Sequence, residues 1–346
     1  MDTLPPPSPN APAAATEVAT SSAVAAAPGT VIDRETVAVA ELGARLIGTL
    51  DAVVAGKHDV VETAIATLLA GGHLLIEDLP GVGKTLLAQV LARSVGGTFH
   101  RIQGTSDLLP GDITGSMVPG GQLDVDSMRF RPGPVFANIV VFDELNRATP
   151  RTQSALLELA EEATVTVDGV SHALPDPFML VATQNPIDIA GTYGLGEGAL
   201  DRFQAVVTPG RASPMAEVEV LTGRRGRSML DAVEPVASLT ELANARTTVA
   251  TVQVSDAVAG YVVDLLQATR EDPRVRVGAS TRAGVAIIAL SRAIAALDGR
   301  NYVTPHDVAR CAVPALAHRL AGSTGTVVAG RELATECIER VTPPTI

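Results

Sequence analysis

The sequence predicts an α/β fold in which a parallel sheet is flanked by helices, followed by a smaller unit made only of helices. Three short, continuous apolar runs predict the sheet, because strands buried on both faces carry apolar residues without alternation. These runs are residues 74–76, 139–142 and 178–182. The helical unit is predicted after Pro214, where apolar residues recur at helical spacing.

The first apolar run leads into residues 79–85, with the sequence LPGVGKT, and then into a helix-like run. Strand, glycine turn and helix in this order are typical of a phosphate-binding loop. Backbone N–H groups around Gly81 and Gly83 can point at an anion, and the amino end of the following helix adds partial positive charge. We expect Lys84 to reach the β- and γ-phosphates and the Thr85 hydroxyl to hold Mg²⁺. The strict pattern G-x-x-x-x-G-K-[ST] is not met, because an aspartate takes its first position.

The other two apolar runs end in polar residues suited to nucleotide hydrolysis. The second run ends in the adjacent carboxylates Asp143 and Glu144. At the carboxyl end of a central strand, Asp143 can hold the Mg²⁺ shell and Glu144 can orient the attacking water. The third run ends near Asn185, whose amide could polarise that water or contact the γ-phosphate; alternatively, Asn185 only begins a turn with Pro186.

Further elements are predicted from local signals. Helices are expected over residues 37–54, 59–69 and 152–162, and a strand over 98–103. Two hairpins are expected, one at Gly120 and Gly121 and one at Asp168 and Gly169, where an Asp-Gly pair lies between alternating runs. In the helical unit, Ser255 and Thr304 are expected to cap helices, and a further helix is expected over 280–297.

Composition divides the chain and limits its partners. Residues 1–30 are rich in Ala, Pro, Ser and Thr and are expected to form a disordered tail. A core over 31–212 and a helical lid over 213–346 follow. The net charge of −12, the aromatic content of 3% and only two lysines argue against nucleic acid as the main partner.

The histidines show no zinc spacing, and Cys311 and Cys337 are expected to be buried in helices. No stretch approaches the roughly 20 apolar residues of a membrane span. No basic residue precedes Arg34, so the amino terminus lacks the charged region of a signal peptide. We therefore expect a cytoplasmic protein.

Four stretches resemble signatures of the MoxR family of AAA+ ATPases, and the resemblance extends over residues 36–340. The stretches are 78–85 (DLPGVGKT), 130–162 (FRPGPVFANIVVFDELNRATPRTQSALLELAEE), 182–193 (ATQNPIDIAGTY) and 200–203 (LDRF). The resemblance implies an AAA+ P-loop core, a C-terminal helical lid and assembly into a ring, expected to be a hexamer. It also implies a chaperone-like ATPase that remodels protein partners, often ones with a von Willebrand factor A domain.

The resemblance implies a role for each matching residue. ATP and Mg²⁺ are the expected cofactors, with Thr85 and Asp143 as the metal-binding residues and Glu144 as the catalytic carboxylate of the Walker B motif. The expected nucleotide-binding residues are Pro80, Gly81, Val82, Gly83, Lys84 and Thr85.

Three more residues match catalytic positions of the family. Asn185 matches the first sensor, and Arg282 matches the second sensor on the lid. Arg202 matches the arginine finger that reaches into a neighbour's site, although Arg147 remains an alternative. The chain departs from the family at residues 194–198, where three glycines replace a Pro-containing segment and predict a looser loop before Arg202. It departs again at position 104, where a glycine replaces a larger apolar residue.

Three other functions are compatible with the same core. One is a nucleic-acid motor of the helicase or restriction type, which the acidic composition disfavours. Another is a magnesium-chelatase-like subunit, which would drive metal insertion into a porphyrin together with an integrin-like partner. A scaffold that does not hydrolyse ATP is disfavoured, because every expected catalytic position is filled. The sequence does not identify the partner.

Overall fold

The computed structural model describes residues 33–78, 82–119, 128–185, 191–324 and 326–345. The strands are β1 (Leu74–Glu77), β2 (Phe99–Gln103), β3 (Gly115–Pro119), β4 (Met128–Pro132), β5 (Ile139–Asp143), β6 (Thr164–Val167), β7 (Val170–Ala173), β8 (Met179–Gln184) and β9 (Ala205–Val207). The helices are α1 (Arg34–Val53), α2 (His58–Leu69), α3 (Lys84–Ser94), α4 (Pro110–Thr114), α5 (Pro150–Glu162), α6 (Glu197–Leu200), α7 (Pro214–Leu221), α8 (Leu239–Thr251), α9 (Asp256–Glu271), α10 (Thr281–Leu297), α11 (Pro305–Thr324) and α12 (Val327–Arg340).

The central sheet is parallel and has five strands in the order β2-β5-β8-β1-β9. Parallel neighbours need crossover connections, and helices such as α3 and α5 supply them. The predicted α/β class is therefore confirmed. The order places β8 between β1 and β5, so the carboxyl ends of these three strands are adjacent.

Both faces of the sheet are covered, which explains the continuous apolar runs. Leu75, Val140 and Phe142 belong to a core on one face that includes residues of α5. Ile76 and Val141, which alternate with them along the strands, belong to a larger core on the other face. That second core joins residues of α1–α3 to residues of α8–α12, so the C-terminal helices bury part of the sheet.

The predicted hairpin at Asp168 and Gly169 is confirmed. It joins β6 to β7, and both residues have positive φ, 48° and 79°, as a two-residue turn of this kind requires. Strands β3 and β4 also pair antiparallel, but the predicted turn at Gly120 and Gly121 lies outside the described residues. The Phe130 ring of β4 stacks on His172 of β7, with centroids 3.9 Å apart, and so connects the two hairpins.

Helices α9 and α11 begin at the predicted capping residues. The Ser255 hydroxyl accepts from the N–H of Val258, and Thr304 and Asp307 bond reciprocally at the start of α11. Cys311 and Cys337 are free and buried in α11 and α12, as expected. Among the described residues, no helix is long and apolar enough to cross a membrane.

Candidate active site

The residues predicted to bind phosphate and metal meet at the carboxyl ends of β1, β5 and β8. The Thr85 hydroxyl donates to both carboxylate oxygens of Asp143, at 3.1 and 3.3 Å. Gln184 ends β8 and Asn185 follows it directly. Ligands of open α/β sheets bind at this edge of the sheet, so the topology brings the predicted groups to the expected place.

The end of the phosphate loop is described from Val82 onwards, whereas Pro80 and Gly81 lie outside the described residues. Gly83 directly precedes α3 with φ of 91°, a conformation that favours glycine. Lys84 is the first residue of the helix, so its N–H and the helix amino end face the strand ends.

The Lys84 ammonium lies over the strand ends. Its Nζ donates to the carbonyl oxygen of Asp78 at 2.6 Å and lies 3.5 Å from that of Gln184. Burial lowers the pKa of Lys84, while the nearby carboxylates of Asp78 and Asp143 act in the opposite direction. A cation that has lost hydration in this way is stabilised strongly by an anionic ligand.

Asp143 is held by more groups than the sequence indicated. Its carboxylate accepts from Arg101 Nε at 2.6 Å and from the Thr183 hydroxyl at 3.2 Å. Thr183 also accepts the backbone N–H of Glu144 at 3.0 Å. A single hydroxyl on β8 therefore fixes both carboxylate residues at the end of β5. The sequence did not predict these contacts of Arg101 and Thr183, because they depend on the strand order, in which β2 and β8 are the neighbours of β5.

Glu144 adopts an unusual backbone conformation directly after β5. Its φ of 57° and ψ of 52° lie in the left-handed region. Its carboxylate accepts from Gln103 Nε2 at 3.0 Å and from Arg147 Nε at 2.9 Å. A Cβ at Gly104 would lie 2.3 Å from the Glu144 carbonyl oxygen, which explains why this chain has glycine at position 104.

Asn185 and Arg147 lie at this same end of the sheet. Asn146 Nδ2 donates to the carbonyl oxygen of Asn185 at 3.3 Å, which ties the tip of β8 to the turn after β5. Arg147 pairs with Glu144 of its own subunit. This pairing places Arg147 beside Glu144 at the carboxyl end of β5.

Arg202 and Arg282 lie at the opposite end of the sheet and share one carboxylate. Arg202 Nε pairs with Glu161 at 2.9 Å, and Arg282 pairs with the other oxygen of the same side chain. Glu161 lies near the end of α5, next to Ala160, whose carbonyl accepts from His73 Nε2 at 2.8 Å. His73 directly precedes β1, whereas the phosphate loop follows β1. Arg282 therefore lies next to Arg202, at the end of the sheet away from Lys84 of its own subunit.

A cavity of about 1120 Å³ is lined by residues of α2, the end of β9 and the C-terminal helices. Lys57 lines it and donates from Nζ to three backbone carbonyls, those of residues 209–211, at 2.5 to 2.8 Å. The N–H of Gly210 donates in turn to Asp78, just before the loop. Arg331 of α12 also lines the cavity, and burial lowers its pKa while Glu77 raises it. Sequence reasoning missed both Lys57 and Arg331 as residues near the site.

The fold and this site define an ATPase of the AAA class with a helical lid. The model of the ATPase family associated with various cellular activities (AAA) matches residues 73–205, and the model of the AAA lid domain matches residues 267–334. The crystal structure of a protein from Cytophaga hutchinsonii superposes with a TM-score of 0.80 and 30% identity, covering 90% of this chain and 97% of that chain.

Two similar proteins indicate the family within this class to which the chain belongs. Chaperone MoxR1 of Mycobacterium tuberculosis is 39% identical over 286 residues, which cover 80% of this chain and 74% of MoxR1. YeaC of Bacillus subtilis, an uncharacterized protein, is 42% identical over 271 residues, which cover 78% of this chain and 84% of YeaC. The chain belongs to the MoxR family of AAA+ ATPases.

Proposed function

We propose that this protein hydrolyses ATP to ADP and phosphate at sites shared between neighbouring subunits of a ring, and that the ring remodels protein partners. One observation carries the proposal. The phosphate, metal and water-directing groups lie at one end of the sheet, whereas Arg202 and Arg282 lie at the other, next to Glu161. Each subunit would thus supply two half-sites. Its phosphate and metal groups would bind its own nucleotide, and its Arg202 and Arg282 would contact the nucleotide of a neighbouring subunit.

The oxygen atoms of Thr85 and Asp143 suit Mg²⁺, which prefers hydroxyl, carboxylate and phosphate oxygens. The two side chains are already within 3.3 Å of each other, so they would hold the ion together with the nucleotide. When bound, Mg²⁺ would neutralise charge that develops between the β- and γ-phosphates. Lys84 would supply a second positive charge to the same phosphates.

Glu144 is the group that would orient the attacking water and accept its proton. The Thr183 hydroxyl and the close packing of Gly104 fix its backbone, and Gln103 holds its carboxylate. Asn185 would position the same water from the tip of β8. Contacts that fix Glu144 before ATP binds would lower the reaction barrier, because the carboxylate would need little reorientation during the reaction.

The cavity lined by Lys57 and Arg331 would receive the base and ribose of the nucleotide. Its walls come from both the core (31–212), which supplies Lys57, and the lid (213–346), which supplies Arg331. Nucleotide bound there would contact both units, so hydrolysis could change the position of the lid. Arg331 Nη2 lies 3.4 Å from the Thr208 hydroxyl at the end of β9, within reach of a ligand in the cavity.

The partner is expected to be a protein. The name of the MoxR1 relative includes the word chaperone, which supports a remodelling role. The family resemblance supports a homo-hexamer and a partner with a von Willebrand factor A domain. The net charge of −12 again argues against nucleic acid.

Lys84→Ala tests the nucleotide site. Removal of the ammonium is expected to abolish ATP binding without unfolding the chain, because Lys84 is half-buried at the start of α3 and its Nζ donates to a backbone carbonyl oxygen at the strand ends. Thermal unfolding with and without Mg-ATP measures this, and the ATP-dependent rise in Tm is expected to vanish. Gln89→Ala on the same helix should keep that rise. A Lys84→Ala protein that ATP still stabilises would refute the assignment.

Val170→Asp tests whether the β6–β7 hairpin contacts partners. Val170 is 57% exposed at the hairpin tip, so a charge there should leave basal ATP turnover unchanged and reduce the amount of partner protein that co-purifies with ATP-trapped rings. Val285→Asp on α10 is the control, because this valine is 64% exposed. Loss of basal turnover in Val170→Asp would show instead that the hairpin is structural.

A further inference from the structure

Five charged side chains form a connected group at the amino end of the sheet. Glu161 accepts from Arg202 and from Arg282, and Asp201 accepts from Arg319 Nε at 2.7 Å and lies 3.8 Å from Arg282 Nη1. Glu161 lies on α5, Arg282 on α10 and Arg319 on α11, whereas Asp201 and Arg202 lie directly after α6. The core and the C-terminal helices therefore meet in this group, which we call the arginine cluster.

The backbone around Arg202 is held firmly by α11, although glycines precede it. Arg319 is only 5% exposed, and its Nη2 donates to the carbonyl oxygens of Asp201 and Phe203 at 3.0 and 2.9 Å. His318 Nε2 also donates to the carbonyl oxygen of Phe203 at 2.9 Å. The looser loop expected from residues 194–198 thus does not leave the Arg202 backbone free.

What remains adjustable is the Arg202 side chain, and Glu161 restrains it. Arg202 donates from Nε to Glu161 at 2.9 Å and from Nη1 to the carbonyl oxygen of Gly198 at 2.9 Å. Within the described part of the chain, its Nη2 makes no hydrogen bond. Two nitrogens therefore orient the guanidinium, and the third is available to a ligand.

We propose that Glu161 is a positioning residue that holds Arg202 and Arg282 side by side, ready for the nucleotide of the neighbouring subunit. Two guanidinium groups repel each other, and a single carboxylate between them offsets this repulsion. The hydrogen bond from Arg202 holds the pKa of Glu161 below its ordinary value, so the carboxylate stays charged at neutral pH. This proposal rests on the proposed function, because it assigns Glu161 to the half-site that acts in a neighbour.

Glu161→Gln keeps the shape of the side chain and removes its charge. We expect kcat to fall about 10- to 100-fold with little change in KM, because misplaced guanidiniums cost transition-state contacts and not ground-state binding. Glu162→Gln is the matched control, an exposed glutamate one residue further on, and should keep wild-type kcat. Glu161→Asp should recover part of the lost rate. A Glu161→Gln enzyme with wild-type kcat would overturn the proposal.

Subunit mixing distinguishes a positioning role from general damage. Glu161→Gln mixed with Lys84→Ala should regain activity, because intact phosphate loops then face intact arginine clusters. Glu161→Gln mixed with Arg202→Ala should regain none, because both variants are defective in the same half-site. The opposite pattern, rescue by Arg202→Ala only, would assign Glu161 to its own subunit's nucleotide and overturn the proposal.

The same experiments separate this proposal from the proposed function. If Arg202→Ala loses activity and Lys84→Ala restores it while Glu161→Gln stays fully active, the shared site stands and the role of Glu161 is refuted. If Arg202→Ala itself keeps wild-type kcat, the shared site is refuted and the role of Glu161 with it. In an Arg202→Ala, Arg282→Ala background, Glu161→Gln should have no further effect on kcat.

Discussion

Glu144→Gln is expected to bind ATP normally and to hydrolyse it about 10²- to 10⁴-fold more slowly, the usual loss when a general base is removed. The glutamine keeps the side-chain size and can still bond to Gln103, but it cannot accept a proton from water. The left-handed backbone at position 144 is retained, because Gly104 and Thr183 hold it independently of the side chain.

Single-turnover kinetics measure the hydrolysis rate, and equilibrium binding of a fluorescent ATP analogue measures the affinity. Glu158→Gln, an exposed substitution on α5, controls for the general effect of a lost carboxylate. Wild-type turnover in Glu144→Gln would mean that another group orients the water.

Arg202→Ala is expected to keep nucleotide affinity and to lose about 10³- to 10⁵-fold in kcat, as when an arginine finger is removed. Affinity is kept because Arg202 lies at the end of the sheet away from Lys84 of its own subunit. Steady-state kinetics and nucleotide binding measure the two effects, with Arg224→Ala as an exposed control. A parallel loss of affinity would show that Arg202 acts on its own subunit's nucleotide.

The centre of the site could be predicted because its residues follow continuous apolar runs. Lys84 follows one such run, and Asp143 ends another. In an open parallel sheet, the residues that follow the strands lie at one edge, so the sequence alone predicts that these side chains lie close together. The Asp168-Gly169 turn was predictable for a similarly local reason, since few residue pairs tolerate two positive φ angles in succession.

The remaining contacts depend on strand order and on packing between distant elements. Arg101 reaches Asp143 because β2 is the neighbour of β5, and no local pattern encodes that pairing. Arg282 of α10 bonds to Glu161 of α5 although 121 residues of sequence separate them. Glycine content alone suggested a loose segment before Arg202, whereas the buried Arg319 holds its backbone from another helix.

The most direct test of the shared site is to mix Arg202→Ala with Lys84→Ala, each inactive alone, and to measure ATPase rate at constant total protein. In a randomly mixed ring, roughly a quarter of the interfaces would join an intact phosphate loop to an intact arginine cluster, so a rate approaching that fraction of wild type is expected. A mixture that stays inactive although the subunits assemble together would contradict the shared site. So would a wild-type rate per subunit that is unchanged when the ring is diluted to monomers.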